Sequence, residues 1–185
     1  VVVDTMGAGL GVFDALCKTL YDEERDIEYE PWSSINDEDM NERMKTNGKP
    51  CIYSVKAAAA FNSEIAVQLR TGLEKGRIEL PMSDIIKKEE LTLEGGFSSL
   101  SPEEKARRLQ TFYQATALQG ELVALEYKLQ GANIKIEEVG SATKDRYSSL
   151  AYCNWYANEL EKNLREEADD ADWSQFMFVS GGLER

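Results

Sequence analysis

Hydrophobic positions along the chain change period in step with turn residues, and that rhythm predicts alternating strands and helices. Residues 1–4, Val-Val-Val-Asp, are a continuous apolar run ending in an acid, the pattern of a central strand covered on both faces. Residues 10–21 then bring Leu10, Phe13, Leu16, Cys17 and Leu20 onto one helical face. Apolar and acidic residues alternate over 27–32 as a strand, whereas 33–49 is polar, charged and closed by Asn47-Gly48, which reads as a surface excursion. Residues 51–55 form the next predicted strand. Asn62 and Ser63 are candidate caps for a helix that aligns Ile65, Leu69 and Leu73 and stops at Gly76.

A short strand over 77–80 and a weak helix over 84–93 follow, broken by Gly95-Gly96. Ser101-Pro102-Glu103-Glu104 is a strong helix start, with serine at the cap and proline first in the helix, and the helix is expected to continue to about residue 129. Residues 133–139 carry Ile134, Ile136 and Val139 as a strand, and Thr143 is expected to cap a last helix running to about residue 168. This alternation makes the chain α/β. The stretch 166–185 reads as a C-terminal tail, acidic at first and then bearing Trp173, Phe176, Met177 and Phe178, a candidate docking segment.

Composition narrows the chemistry. With 185 residues, 42% of them hydrophobic, the chain suffices for one core rather than two. It contains no histidine, which removes imidazole as base, nucleophile activator and metal ligand. Triads of the Ser-His-Asp or Cys-His kind cannot be assembled from it, and a metal would be held mainly by oxygen, which suits Mg²⁺ or Mn²⁺ rather than zinc or copper. Cys17, Cys51 and Cys153 are widely spaced among apolar residues and read as buried free thiols. The net charge of −13 opposes a surface that attracts nucleic acid everywhere, so a nucleic-acid site would need a local basic groove.

The cluster Met6-Gly7-Ala8-Gly9-Leu10-Gly11 sits between a strand and a helix, where a nucleotide-binding turn would lie. Val12 stands where the third glycine of a dinucleotide fingerprint belongs, and no Gly-Lys-Ser/Thr follows, so the glycines are better read as permitting a sharp turn beyond Asp4. Asp4, at the C-terminal end of a strand, either caps that turn or faces a ligand crevice. Asp145, at the start of the last helix, is favoured there by the helix dipole whatever its role.

Taken together, four segments resemble the large terminase nuclease family of tailed phages. They are Val3-Asp4-Thr5-Met6-Gly7-Ala8-Gly9 with Val12-Phe13-Asp14; Tyr53-Ser54-Val55-Lys56 with Phe61-Asn62-Ser63-Glu64-Ile65; Gln119-Gly120-Glu121-Leu122-Val123-Ala124-Leu125-Glu126 with Ile134-Lys135-Ile136; and Lys144-Asp145-Arg146-Tyr147-Ser148-Ser149-Leu150-Ala151-Tyr152. The resemblance implies an RNase H-like fold of the retroviral-integrase type, a mixed central sheet flanked by helices, with residues 1–165 forming a nuclease domain. It further implies that the family's first strand and first catalytic acid lie upstream of residue 1.

By the same resemblance Asp4 and Asp145 are the catalytic, metal-binding acids for two Mg²⁺ or Mn²⁺ ions, and Lys144, Arg146 and Lys56 are candidate contacts to DNA phosphates. The implied partners are double-stranded DNA, the portal protein, the small terminase subunit and an ATPase domain earlier in the same polypeptide, in the host cell cytoplasm. The chain carries Lys144 where some members have a histidine or second acid. Glu121 and Glu126 are expected to be solvated or paired rather than catalytic. The rival expectation is a non-enzymatic module docking on portal or other packaging components through its acidic surface and aromatic tail.

Overall fold

Apolar residues from both ends of the chain meet around a small parallel sheet. In the computed structural model, which describes residues 1–140 and 143–169, the chain runs β1 (Val2–Asp4), α1 (Ala8–Leu16), β2 (Leu20–Asp22), β3 (Ile27–Tyr29), β4 (Trp32–Ser34), α2 (Glu38–Met44), β5 (Lys49–Val55), α3 (Ala59–Glu74), α4 (Asp84–Glu94), α5 (Pro102–Ala124), β6 (Leu125–Gln130), β7 (Asn133–Glu138) and α6 (Asp145–Asp169). The protein is α/β. The aromatic stretch from Trp173 to Phe178 lies outside the described residues.

The sheet has the order β1-β5-β4 and is parallel throughout, so the expected mixing of strand directions is absent from it; antiparallel pairing occurs in two separate hairpins, β2-β3 and β6-β7. Contrary to the sequence reading, the apolar run 1–4 supplies an edge strand, and β5 is the central one. Alternate residues of β5 face opposite layers. Ile52 joins Val3, Phe13 and Cys17 beneath α1 and α2, with Trp32, Met40 and Met44 packed around them. On the other face the Tyr53 ring meets Trp155 and Tyr156 of α6, with centroids 5.6 and 4.8 Å apart. A second core of Ile65, Leu69, Tyr147 and Ala151 joins α3 to α6. Phe13, Ile52 and Leu69 are fully enclosed, and burial of each such side chain contributes about 1.5–3 kcal/mol.

Where β4 ends, carboxamides take the place of strand. Asn36 accepts from Ser54 N at 2.8 Å and donates to Ser54 O at 2.9 Å, pairing β5 as the next residues of β4 would. Asn41 does the same for the outer edge of β4, accepting from Ser34 N at 2.6 Å and donating to Ser34 O at 2.9 Å. The buried Ser34 and Ser54 hydroxyls lie 2.9 Å apart and complete the cluster.

Several expected boundaries move. The first helix stops at Leu16, and Leu20 and Tyr21 instead pair with Tyr29 and Glu28. Pro31, which has no N–H to donate, divides the expected 27–32 strand into β3 and β4, which belong to different sheets. The excursion 33–49 contains a strand end and α2, whose N-terminus Asp37 caps by accepting from Met40 N at 3.2 Å. Helix α3 begins at Ala59, before Asn62 and Ser63; Asn62 bonds back to Ala57 O and Ser63 Oγ accepts from Ile134 N at 2.9 Å, tying α3 to β7. Residues 77–80 form no strand. The capping box at Ser101 and Glu104 forms as expected, but α5 ends at Ala124 and 125–130 becomes β6, paired with β7 from Leu125↔Glu138 to Gln130↔Asn133. Cys17 is buried as expected, Cys51 is partly so, and Cys153 is exposed.

Candidate functional site

A crevice of about 510 Å³ opens beyond the C-terminal ends of β1 and β5, the position where open α/β sheets hold their ligands. Asp4 enters it from β1; Asn62 and Ile65 line it from α3; residues 133–136 line it from β7; and Lys144, Tyr147, Ser148 and Tyr152 line it from α6 and the residue preceding it. Asp4 is fixed by pairing opposite Val55, and its Oδ1 accepts from Met6 N at 3.0 Å. It therefore caps the glycine turn and faces the crevice at once. The turn requires its glycines: Gly7 has φ +56°, and a Cβ on Gly9 would lie 1.7 Å from Asp4 O.

The structure separates the two acids singled out by sequence. Asp145 is exposed in the first turn of α6 and lines another, shallower cavity of about 650 Å³ with Arg146, Gln114 and Leu118, whereas Asp4 lines the crevice. Among the described residues no group of three or more His, Cys, Asp and Glu is placed to hold a metal ion. Asp14 is directed elsewhere, paired with Arg43 to link α1 and α2.

The candidate phosphate contacts are largely engaged. Lys144 lines the crevice, but its Nζ lies 3.7 Å from Glu138 and 3.5 Å from Ile136 O. Lys135, also in the wall, is 2.9 Å from Glu137, whose carboxyl Lys128 and Lys135 together hold down to about 2. Arg146 bonds Glu121 at 2.7 Å and Gln114 at 2.9 Å. Lys56 is exposed just beyond β5 and does not line the crevice.

Glu121, expected to be solvated or paired, is paired, and more extensively than local sequence indicates. Its side chain is 7% exposed and gathers donors from across the α5–α6 contact: Thr143 Oγ1 at 2.9 Å, Arg146 N at 2.9 Å, Tyr147 N at 3.0 Å and Arg146 Nη1 at 2.7 Å. A carboxylate from a neighbouring helix thus caps α6, the role expected of Thr143, which instead donates to that carboxylate. Desolvation pushes the Glu121 carboxyl upward, but the bonds from Arg146, Tyr147 and Thr143 outweigh it and hold the group below the usual range. A glutamate inside an otherwise apolar helical stripe was the available signal; its partners lie 22 to 26 residues away, beyond any local pattern.

Two tyrosines complete the site. Tyr147 is 9% exposed and burial pushes its phenol up to about 12; burial also raises Tyr152, helped by the nearby Asp4 carboxylate. Asp4, Tyr147 and Tyr152 all line the crevice. No known family model, curated protein or solved structure matches this chain.

Proposed function

We propose that the chain is the nuclease domain of a tailed-phage large terminase subunit, RNase H-like in fold, which cuts concatemeric DNA during genome packaging. The observation that carries this reading is the position of Asp4: an acid at the end of a parallel strand, facing a crevice also lined by Lys144, just before α6, and by Tyr147, Ser148 and Tyr152 of α6. The four segments of the resemblance supply, in order, the strand and turn, the next strand and helix, the α5–β7 region and the start of α6. Double-stranded DNA, the portal protein, the small subunit and an upstream ATPase domain are the partners this reading entails.

Two Mg²⁺ or Mn²⁺ ions would supply a hydroxide nucleophile and stabilise the leaving oxygen in such a nuclease. The described residues do not assemble that site unaided, because Asp4 and Asp145 line different cavities and no third acid stands beside either in ligating geometry. What the chain itself provides is a fixed carboxylate, a lysine in the same wall and a rigidly capped helix start.

The test is plasmid cleavage with Mn²⁺ by the chain and by a form extended upstream, together with Asp4→Ala and Asp145→Ala in the extended form. Cleavage that falls to background in both variants supports the nuclease; absence of cleavage and of metal binding in every form removes it. That second outcome would favour a docking module acting through the acidic surface of a chain whose net charge is −13. Such a module would bind portal protein equally well with and without metal.

A further inference from the structure

A second cavity of about 510 Å³ lies between α3 and the β6-β7 hairpin, and its walls are largely apolar, with Leu69, Leu73, Leu122, Leu125, Ile134 and Ile136 among them. Its rim is uncovered: Val67 is 47% exposed and Tyr127 65%. On the α3 side it adjoins a polar cavity of about 430 Å³, because Val67 and Thr71 line both. That polar cavity is also lined by Glu161, Lys162, Arg165 and Glu166, close to the end of α6. Lys162 and Arg165 are engaged within α6 by Glu166 and Glu161, whereas Arg77, which lines the same cavity, makes no ion pair among the described residues. A continuous surface thus leads from the end of α6 past a cation and onto apolar ground.

The sequence that follows α6 has the same order. Asp170 and Asp172 come first, and Trp173, Phe176, Met177 and Phe178 come after them. An extended chain advances about 3.3–3.6 Å per residue, so Trp173 reaches up to about 14 Å from Asp169 and Phe178 up to about 30 Å. Helix α3 covers only about 9 Å from Val67 to Leu73, so the aromatic residues have the reach to arrive at the apolar cavity. Each aromatic side chain offers about 150–250 Å² for burial. A short tether holds the segment at an effective concentration on the order of millimolar, so modest contacts suffice to seat it. We propose that residues 170–178 turn back along α3, with Asp170 and Asp172 beside Arg77 and with Phe176 and Phe178 in the apolar cavity under the β6-β7 hairpin. The docking is intramolecular and does not depend on the nuclease chemistry.

The experiment follows the methyl NMR signals of the full chain in wild type, in a variant carrying Phe176→Ser and Phe178→Ser together, and in Arg77→Glu, each at two protein concentrations. The two phenylalanine substitutions are expected to shift the signals of Leu73, Leu122 and Ile134 and to leave that of Ile52, in the other core, in place. Arg77→Glu, at an exposed position, should move the same signals part of the way along the same line. An intramolecular contact leaves the wild-type positions unchanged on dilution. Signals of the cavity residues that stay in place when both phenylalanines are replaced overturn the docking. Wild-type signals that move to the variant positions on dilution assign the occupant to a second copy and overturn docking within the chain. Signals unmoved by Arg77→Glu overturn the placement of the two acids.

Discussion

Two regions of the molecule, the end of β4 and the α5–α6 contact, solve the same problem, polar atoms in the interior, with different chemistry. Beyond β4 and β5 the cluster of Ser34, Asn36, Asn41 and Ser54 is wholly neutral, each carboxamide matching one N–H and one C=O of a strand. Between α5 and α6 a single charged group, Glu121, accepts from two helix N–H groups, a hydroxyl and a guanidinium. The neutral cluster distributes its bonds over several modest contacts, so no one loss is decisive. The charged site concentrates them, and its failure would release Thr143, Arg146 and the first turn of α6 together.

Breaking the charged site should therefore have the largest effect. Glu121→Ala leaves a half-exposed guanidinium, the buried Tyr147 N–H and the part-buried Arg146 N–H without their acceptor and is expected to destabilise the fold by about 3 kcal/mol, measured by urea unfolding. Hydrogen exchange would then show the loss centred on Arg146 and Tyr147. Asn36→Ala, which strips both bonds from Ser54, is expected to cost about 2 kcal/mol with no such change at α6.

The smallest effect sharpens the contrast through pH. The Glu121 carboxyl is held below its ordinary value of 4.5 in the folded chain, so its stabilisation is complete above that value and is lost as pH falls through and below it. Wild type should lose stability in that acid window faster than Glu121→Gln does. Asn36→Ala should follow wild type in parallel, because its amide does not titrate.

Much of the fold was legible where local rules govern. The Ser101 capping box, the glycine turn after Asp4 and the strand–helix succession through Leu69 all rest on neighbours within a few residues. The errors came where a distant partner decides. Residues 125–130 continue a helical composition yet alternate Leu125, Tyr127 and Leu129, and the pairing with Ile134 and Ile136 selects the strand. Likewise Leu20 fits the helical stripe of Phe13 and Cys17 but is claimed by Tyr29. For the site, Asp4 was readable because strand ends are predictable, whereas the cavity that Asp145 lines depends on how α6 settles against α5, which the bonds to Glu121 determine.

The carboxamide of Asn41 has one more consequence, for the behaviour of the protein in company. Strand β4 is the far edge of the parallel sheet, and its outward N–H and C=O at Ser34 are the groups that would template a strand from another molecule. Asn41 occupies both, and α2 stands over the place such a strand would take. With Thr46 Oγ1 donating to the Trp32 carbonyl at 3.2 Å, side chains from α2 and the turn after it occupy the edge groups through which sheet extension on that side would proceed.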